Sequence, residues 1–139
     1  MRLVWIAMAG ALGVLARYGL SVAIQGWLAS RGSRVIGSDF PLATLFINVS
    51  GAFLLSFLTA LVLQGALKPD QRLIWGTGFC GGYTTFSTFE LEAEGLLAQR
   101  EWSLAGAYIM GNLILGFVAV LAGRALAIRM LGVSSGSSG

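Results

Sequence analysis

Histidine is absent from this sequence, cysteine occurs once, at Cys80, and proline only twice. Without histidine there is no Ser-His or Cys-His nucleophile pair, so much of hydrolytic chemistry is excluded. A single cysteine excludes a disulfide within the chain and any Cys/His zinc cluster. Charge is scarce as well: Asp, Glu, Lys and Arg together make up 11% of the residues, against roughly a quarter in soluble domains. The net charge of +3 is spread along the chain, with no basic run suited to nucleic acid.

What fills the chain instead is apolar. Hydrophobic residues occupy 56% of the 139 positions, and mean hydropathy is +0.80. A membrane-spanning helix needs about 20 mostly apolar residues, and four stretches qualify. They are residues 3–28, interrupted by Arg17; 42–67, without charge; 73–97, uncharged as far as Phe89; and 102–128, uncharged until Arg124. The pattern predicts an all-α integral membrane protein, with one four-helix domain over residues 1–133. Pro41 and Pro69 stand just before helices, where the missing N–H costs little. The polar Ser-Ser-Gly-Ser-Ser-Gly tail at 134–139 looks like a linker scar. The opening Met1-Arg2, with small Ala7, Ala9 and Ala11, resembles a signal peptide, but the apolar run continues well past that point and favours a retained first helix. Four helices leave little room for a hydrated path inside one subunit. Any ion path is therefore expected at a subunit interface, in an oligomer.

Orientation is weakly encoded. The N-terminus, the second linker and the C-terminus share one side and carry Arg2, Lys68, Arg72, Arg124 and Arg129; the other side carries Arg31, Arg34 and Arg100. Five against three leaves a fixed topology and insertion both ways up equally open. Small residues recur at helix-packing spacings, as Gly78/Gly82, Ala107/Gly111 and the series Gly116, Ala119, Gly123, which suits close helix contact in lipid.

The residues able to carry chemistry are few. Arg17 is the one charge deep within an apolar segment. It must face protein or water, or snorkel to the surface. It serves either as a fixed positive charge drawing an anion into a vestibule or as the end of a tilted helix. Thr44 and Asn48, four apart, share a helical stripe. The Asn48 amide has two hydrogens to donate, either to an anion or across a helix interface. The run from Gly78 to Phe89 holds paired glycines followed by hydroxyl residues, a poor helix propagator. An unwound stretch is expected near residues 81–85, tolerated in a membrane only where protein or a water-filled cavity satisfies its backbone. Freed carbonyls near Gly81 and Thr84 suit a cation; Ser87 and Thr88 offer donors to an anion. Phe86 and Phe89, three apart, share a face, and their electropositive ring edges can contact a small dehydrated anion. Tyr108 and Asn112 form a similar stripe in the fourth helix, with Gly116 next. Glu90, Glu92 and Glu94 read as a solvated membrane exit, and Cys80 as a small packing residue.

With these residues assembled, the chain resembles the Fluc (CrcB-type) fluoride channel family. The run Gly78 to Phe89, ending Thr-Thr-Phe-Ser-Thr-Phe, is similar to that family's signature. Gly10-Ala11 through Arg17-Tyr18 and Pro41 through Asn48 to Gly51 also match. The resemblance implies an antiparallel, dual-topology homodimer in the inner membrane of the cell, with two pores passing fluoride out of the cytoplasm. It implies a structural sodium ion (Na+) on the dimer axis, held by backbone carbonyls of Gly81 and Thr84 in a third helix broken near its middle. It further implies a fluoride pathway lined by Asn48, Phe86, Phe89, Ser87, Thr88, Tyr108 and Asn112, with Arg17 in the vestibule. Glu92 matches an acidic position that often follows the signature. Gly116 stands where the family's polar track commonly has a hydroxyl. Two other classes fit less well: a proton-coupled multidrug transporter, which needs a carboxylate within a span, and a non-conducting scaffold subunit, which has no use for clustered donors.

Overall fold

Helix ends and glycine contacts set the architecture. The computed structural model describes residues 1–30 and 40–135. Arg31 and Arg34, and residues 136–139 of the polar tail, lie outside the described residues. Helix α1 runs Arg2–Ser30, α2 Leu42–Leu63, α3 Pro69–Arg72, α4 Gly81–Tyr83, α5 Phe86–Ala98 and α6 Trp102–Ser135. Between α3 and α4 the backbone of Leu73–Cys80 is a π-helix. No strand occurs among the described residues. Among the described residues, three helices are long and apolar enough to cross a membrane: Arg2–Ser30, Leu42–Leu63 and Trp102–Gly132.

Helix α2 stops four residues short of the apolar pattern. Gly65 adopts φ 77°, with Ala66 N–H bonded to Leu61 O at 2.9 Å and Gly65 N–H to Val62 O at 2.9 Å. This is a Schellman closure, for which glycine is the least costly residue. Arg100 closes α5 in the same way at φ 63°, with Glu101 N–H reaching Leu96 O at 2.9 Å.

The packing is by small residues. Helix α1 lies along the π-helix and α4. A Cβ on Gly13 would strike the Phe79 carbonyl, and one on Gly82 would strike the Gly10 carbonyl. Gly78 is equally close to Ile6 and Ala9. Helices α2 and α6 run side by side in the same direction: Asn48 meets Asn112, and Ser56 Oγ donates to Val120 O at 2.7 Å. Their contact closes on Gly123, where a Cβ would meet Phe53 and Phe57 backbone. Ala107 is exposed, so of its pair with Gly111 only the glycine packs, near Leu45. The core gathers Phe89, Ala93, Leu96, Ala105 and Tyr108, with Phe40 and Leu45 against it. Most other large apolar side chains stay on the outside, as suits a protein solvated by lipid.

The apolar stretch 73–97 is not one helix. Its break is at Thr84 (φ −79°, ψ 159°) and Thr85 (φ −149°, ψ 113°). The paired glycines expected to unwind are helical; the missing side chain of Gly82 admits the Gly10 backbone of α1, while Gly81 faces open space. Arg2 pairs with Asp70 at 3.1 Å, so the N-terminus and the second linker lie on the same side of the molecule.

Candidate functional site

Asn48 and the break define each other. Asn48 Oδ1 accepts the Thr85 N–H at 2.9 Å, and Nδ2 donates to the Thr85 carbonyl at 3.1 Å. The Thr85 N–H would otherwise close a turn onto Gly81. Since a backbone N–H only donates and a carbonyl only accepts, this pairing fixes the amide's orientation. The second Nδ2 hydrogen goes to Asn112 Oδ1 at 3.2 Å, so within the subunit both Asn48 donors are taken. Asn112 in turn donates to Tyr108 O at 3.1 Å, and its amide also approaches the Tyr108 hydroxyl.

A second polar chain starts at Thr44. Its hydroxyl donates to Glu92 Oε1 at 3.0 Å, and the Tyr108 hydroxyl donates to Glu92 Oε2 at 2.6 Å. Tyr108 is 0% exposed, with its ring against Phe89 (5.4 Å) and Phe40 (5.6 Å). Glu92 is thus turned inward, while Glu90 and Glu94 are exposed. Sequence reasoning grouped the three as a membrane exit. The available signal was spacing: Glu92 follows Phe89 by three, on the face that also buries Ala93 and Leu96. Thr85, absent from the expected site, proves to be its pivot. Its hydroxyl caps α5, accepting from Thr88 N–H at 3.3 Å and donating to Thr88 Oγ1 at 2.8 Å.

Two open cavities share Thr85. One, of 320 Å³, is lined by Asn48, Thr84, Phe86, Phe89, Asn112 and Gly116 among others. The other, of 260 Å³, is lined by Arg17, Ser21, Thr44 and Thr88 with apolar neighbours. Arg17 is half-buried there and has no ion pair among the described residues. Of the two phenylalanines, 5.7 Å apart, Phe86 is 67% exposed and Phe89 7%. The groove wall therefore combines an outward ring, a packed ring and the Asn112 amide. Tyr108 faces the core rather than the groove, and Ser87 lines neither cavity. Around the break, Cys80 O accepts both Thr84 N–H (3.0 Å) and Thr84 Oγ1 (2.9 Å). No donor among the described residues reaches the carbonyls of Gly81 or Thr84. A Cβ on Gly81 would meet nothing within 4 Å, so this side of the break opens outward.

Residues 4–124 match the family described as CrcB-like protein, Camphor Resistance (CrcB). The chain belongs to the CrcB family. Among its relatives, the "Fluoride-specific ion channel FluC" of Methylococcus capsulatus is 42% identical over 126 residues, 90% of this chain and 52% of that protein. The chain thus spans about half the length of that relative. The FluC protein of Thermus thermophilus is 39% identical over 131 residues, 94% of this chain and 98% of its own length. That of Deinococcus radiodurans is 39% identical over 126 residues, 91% and 94% of the two chains. This CrcB protein is a multi-pass membrane protein and not an enzyme. The groove and vestibule are both built from segments the resemblance rests on, Thr84 to Phe89 and Pro41 to Gly51.

Proposed function

We propose that this chain is the subunit of a fluoride-selective passive channel. The observation that carries the reading is the groove in which Phe86, Phe89 and the Asn112 amide converge, in a chain whose relatives are named fluoride-specific channels. Fluoride is small and holds its water tightly. A pore must replace that water with strong donors and an electropositive wall, yet bind weakly enough to release the ion. An amide N–H and ring edges do this without a fixed charge in the narrow part. Arg17, without an ion pair among the described residues, supplies the attraction at the entrance and raises the local anion concentration.

The functional unit is an antiparallel homodimer in the inner membrane, with residues 73–97 completing the membrane crossing as a broken fourth span and two pores formed between subunits. The exposed Phe86 ring and the open groove support this, since the wall has no facing side within the subunit. The direction of net flow is outward. HF enters from acidic surroundings and dissociates inside, and the membrane potential then expels the anion through a passive path. A structural sodium ion sits between subunits, held by the carbonyls of Gly81 and Thr84. What supports it is the donor chemistry: two backbone oxygens without hydrogen-bond partners among the described residues, in a turn that is open at Gly81, suit a hard cation. Bound there, the ion neutralises converging carbonyl dipoles that the membrane leaves without water. A multidrug transporter would need a carboxylate open to its substrate, and both oxygens of Glu92 are already engaged.

Ion efflux from proteoliposomes, with valinomycin and a potassium gradient to set the voltage, tests the assignment. Fluoride leaves and chloride does not, because chloride is larger and a weaker acceptor. Chloride efflux comparable to fluoride efflux would end this reading.

A further inference from the structure

Helix α2 grips the break at three consecutive residues. Asn48 holds Thr85 by its N–H and carbonyl. Gly51 leaves room for the Thr84 methyl, which a Cβ there would strike. Ser50 meets the Tyr83 hydroxyl at 2.9 Å. The Ser50 hydroxyl also reaches Ile47 O at 3.2 Å; since a carbonyl only accepts, the arrangement that uses both hydroxyl hydrogens has Ser50 donating to Ile47 O and Tyr83 donating to Ser50 Oγ. Tyr83 is 9% exposed, its ring stacked on Phe79 at 5.7 Å and 12°, and Gly51 has Tyr83 Cδ1 directly in front of it. The ring is therefore held by packing, and the hydroxyl sets where along α2 it comes to rest.

Tyr83 lies between the two carbonyls assigned to the cation, two residues after Gly81 and one before Thr84. We infer that the Tyr83–Ser50 hydrogen bond is a positioning contact for that site, holding the turn from Gly81 to Thr84 in the arrangement whose carbonyls bind sodium. This rests on the sodium reading above. Losing the hydroxyl leaves the ring packed and the chain folded, but frees the turn to rotate, so cation affinity falls more than stability does. Asn48 cannot substitute, because its hold begins at Thr85, beyond the ligand residues.

The test is thermal unfolding of the purified protein, prepared in choline and equilibrated to constancy at a series of sodium concentrations. A ligand that binds only the folded state raises the midpoint logarithmically once its concentration exceeds its dissociation constant. The unsubstituted protein is expected to show a sodium-dependent rise. Tyr83→Phe and Ser50→Ala should each shift the sodium concentration at which the midpoint starts to climb upward roughly three- to tenfold, the effect of about one buried hydrogen bond. The double variant should match the singles, and Ser50→Thr should retain the normal sodium response. Ser56→Ala, which loses its bond to Val120 O away from the break, should lower the midpoint at every sodium concentration without changing the sodium response. Folded Tyr83→Phe and Ser50→Ala variants with an unchanged sodium response would overturn the positioning role and leave the sodium site standing. A sodium-independent midpoint in the unsubstituted protein would remove the sodium reading, and this inference with it. Failure of both single variants to fold would make the bond a folding determinant and likewise overturn its assignment to the cation.

Discussion

Asn48 meets Thr85 through both ends of its amide, accepting the N–H at 2.9 Å and donating to the carbonyl at 3.1 Å, as a neighbouring strand would. This pairing lets the chain leave its helix inside a membrane without orphaned groups at that residue. It also commits Asn48 to the fold. Asn48→Leu should destabilise the protein by about 3 kcal/mol or more, because three bonds are lost and the Thr85 N–H and carbonyl are both left unsatisfied, and should abolish fluoride efflux. Thermal unfolding in detergent beside liposome flux checks this. Normal stability with lost flux would instead make Asn48 a pathway residue alone.

Phe86 and Phe89 should separate in stability though both matter for transport. Phe89→Ala opens a hole in the core and should cost about 3–5 kcal/mol, while Phe86→Ala, at a ring 67% exposed in the subunit, should leave folding nearly intact and stop efflux. Phe79→Ala should slow efflux far less than either. Phe86→Leu keeps bulk but loses the electropositive edge, so normal conduction through that variant would rule out the ring-edge mechanism.

Two glycines of α6 make a sharper pair. Gly123→Val places atoms where the backbone of Phe53 and Phe57 already lies and should prevent folding, read as loss of a monodisperse peak on size-exclusion chromatography. Gly116 has nothing within 4 Å of an added Cβ and lines the groove. Gly116→Ser should therefore fold normally, and its hydroxyl should raise fluoride flux by adding a donor to the path.

Assembly is checked through charge. Added lysines on either set of linkers should bias orientation, and each biased variant expressed alone should lose activity. Co-expression of the two should restore it. Full activity from each variant alone, with orientation verified by cysteine labelling, would contradict antiparallel pairing.

Composition and the length of the apolar runs were sufficient to identify a helical membrane protein, since lipid admits few other ways to satisfy a backbone. The spacing of small residues likewise located the Gly78/Gly82 contact and the Gly123 contact. A local motif, from Gly78 to Phe89, carried the family. Tertiary structure decided the rest, because each remaining feature depends on a partner distant in sequence. The glycine pair looked like the break, yet both glycines are helical, and Gly82 packs onto Gly10 of α1, some seventy residues earlier. The break belongs to Thr84 and Thr85 because Asn48 is there to receive them. Glu92 sat among acids that read as solvent-facing, and only the hydroxyls of Thr44 and Tyr108, from two other helices, turn it inward. A sequence lists hydrogen-bond capacity residue by residue. Which capacity is used within the fold, and which N–H or carbonyl is left for an ion, is set by helices meeting in space.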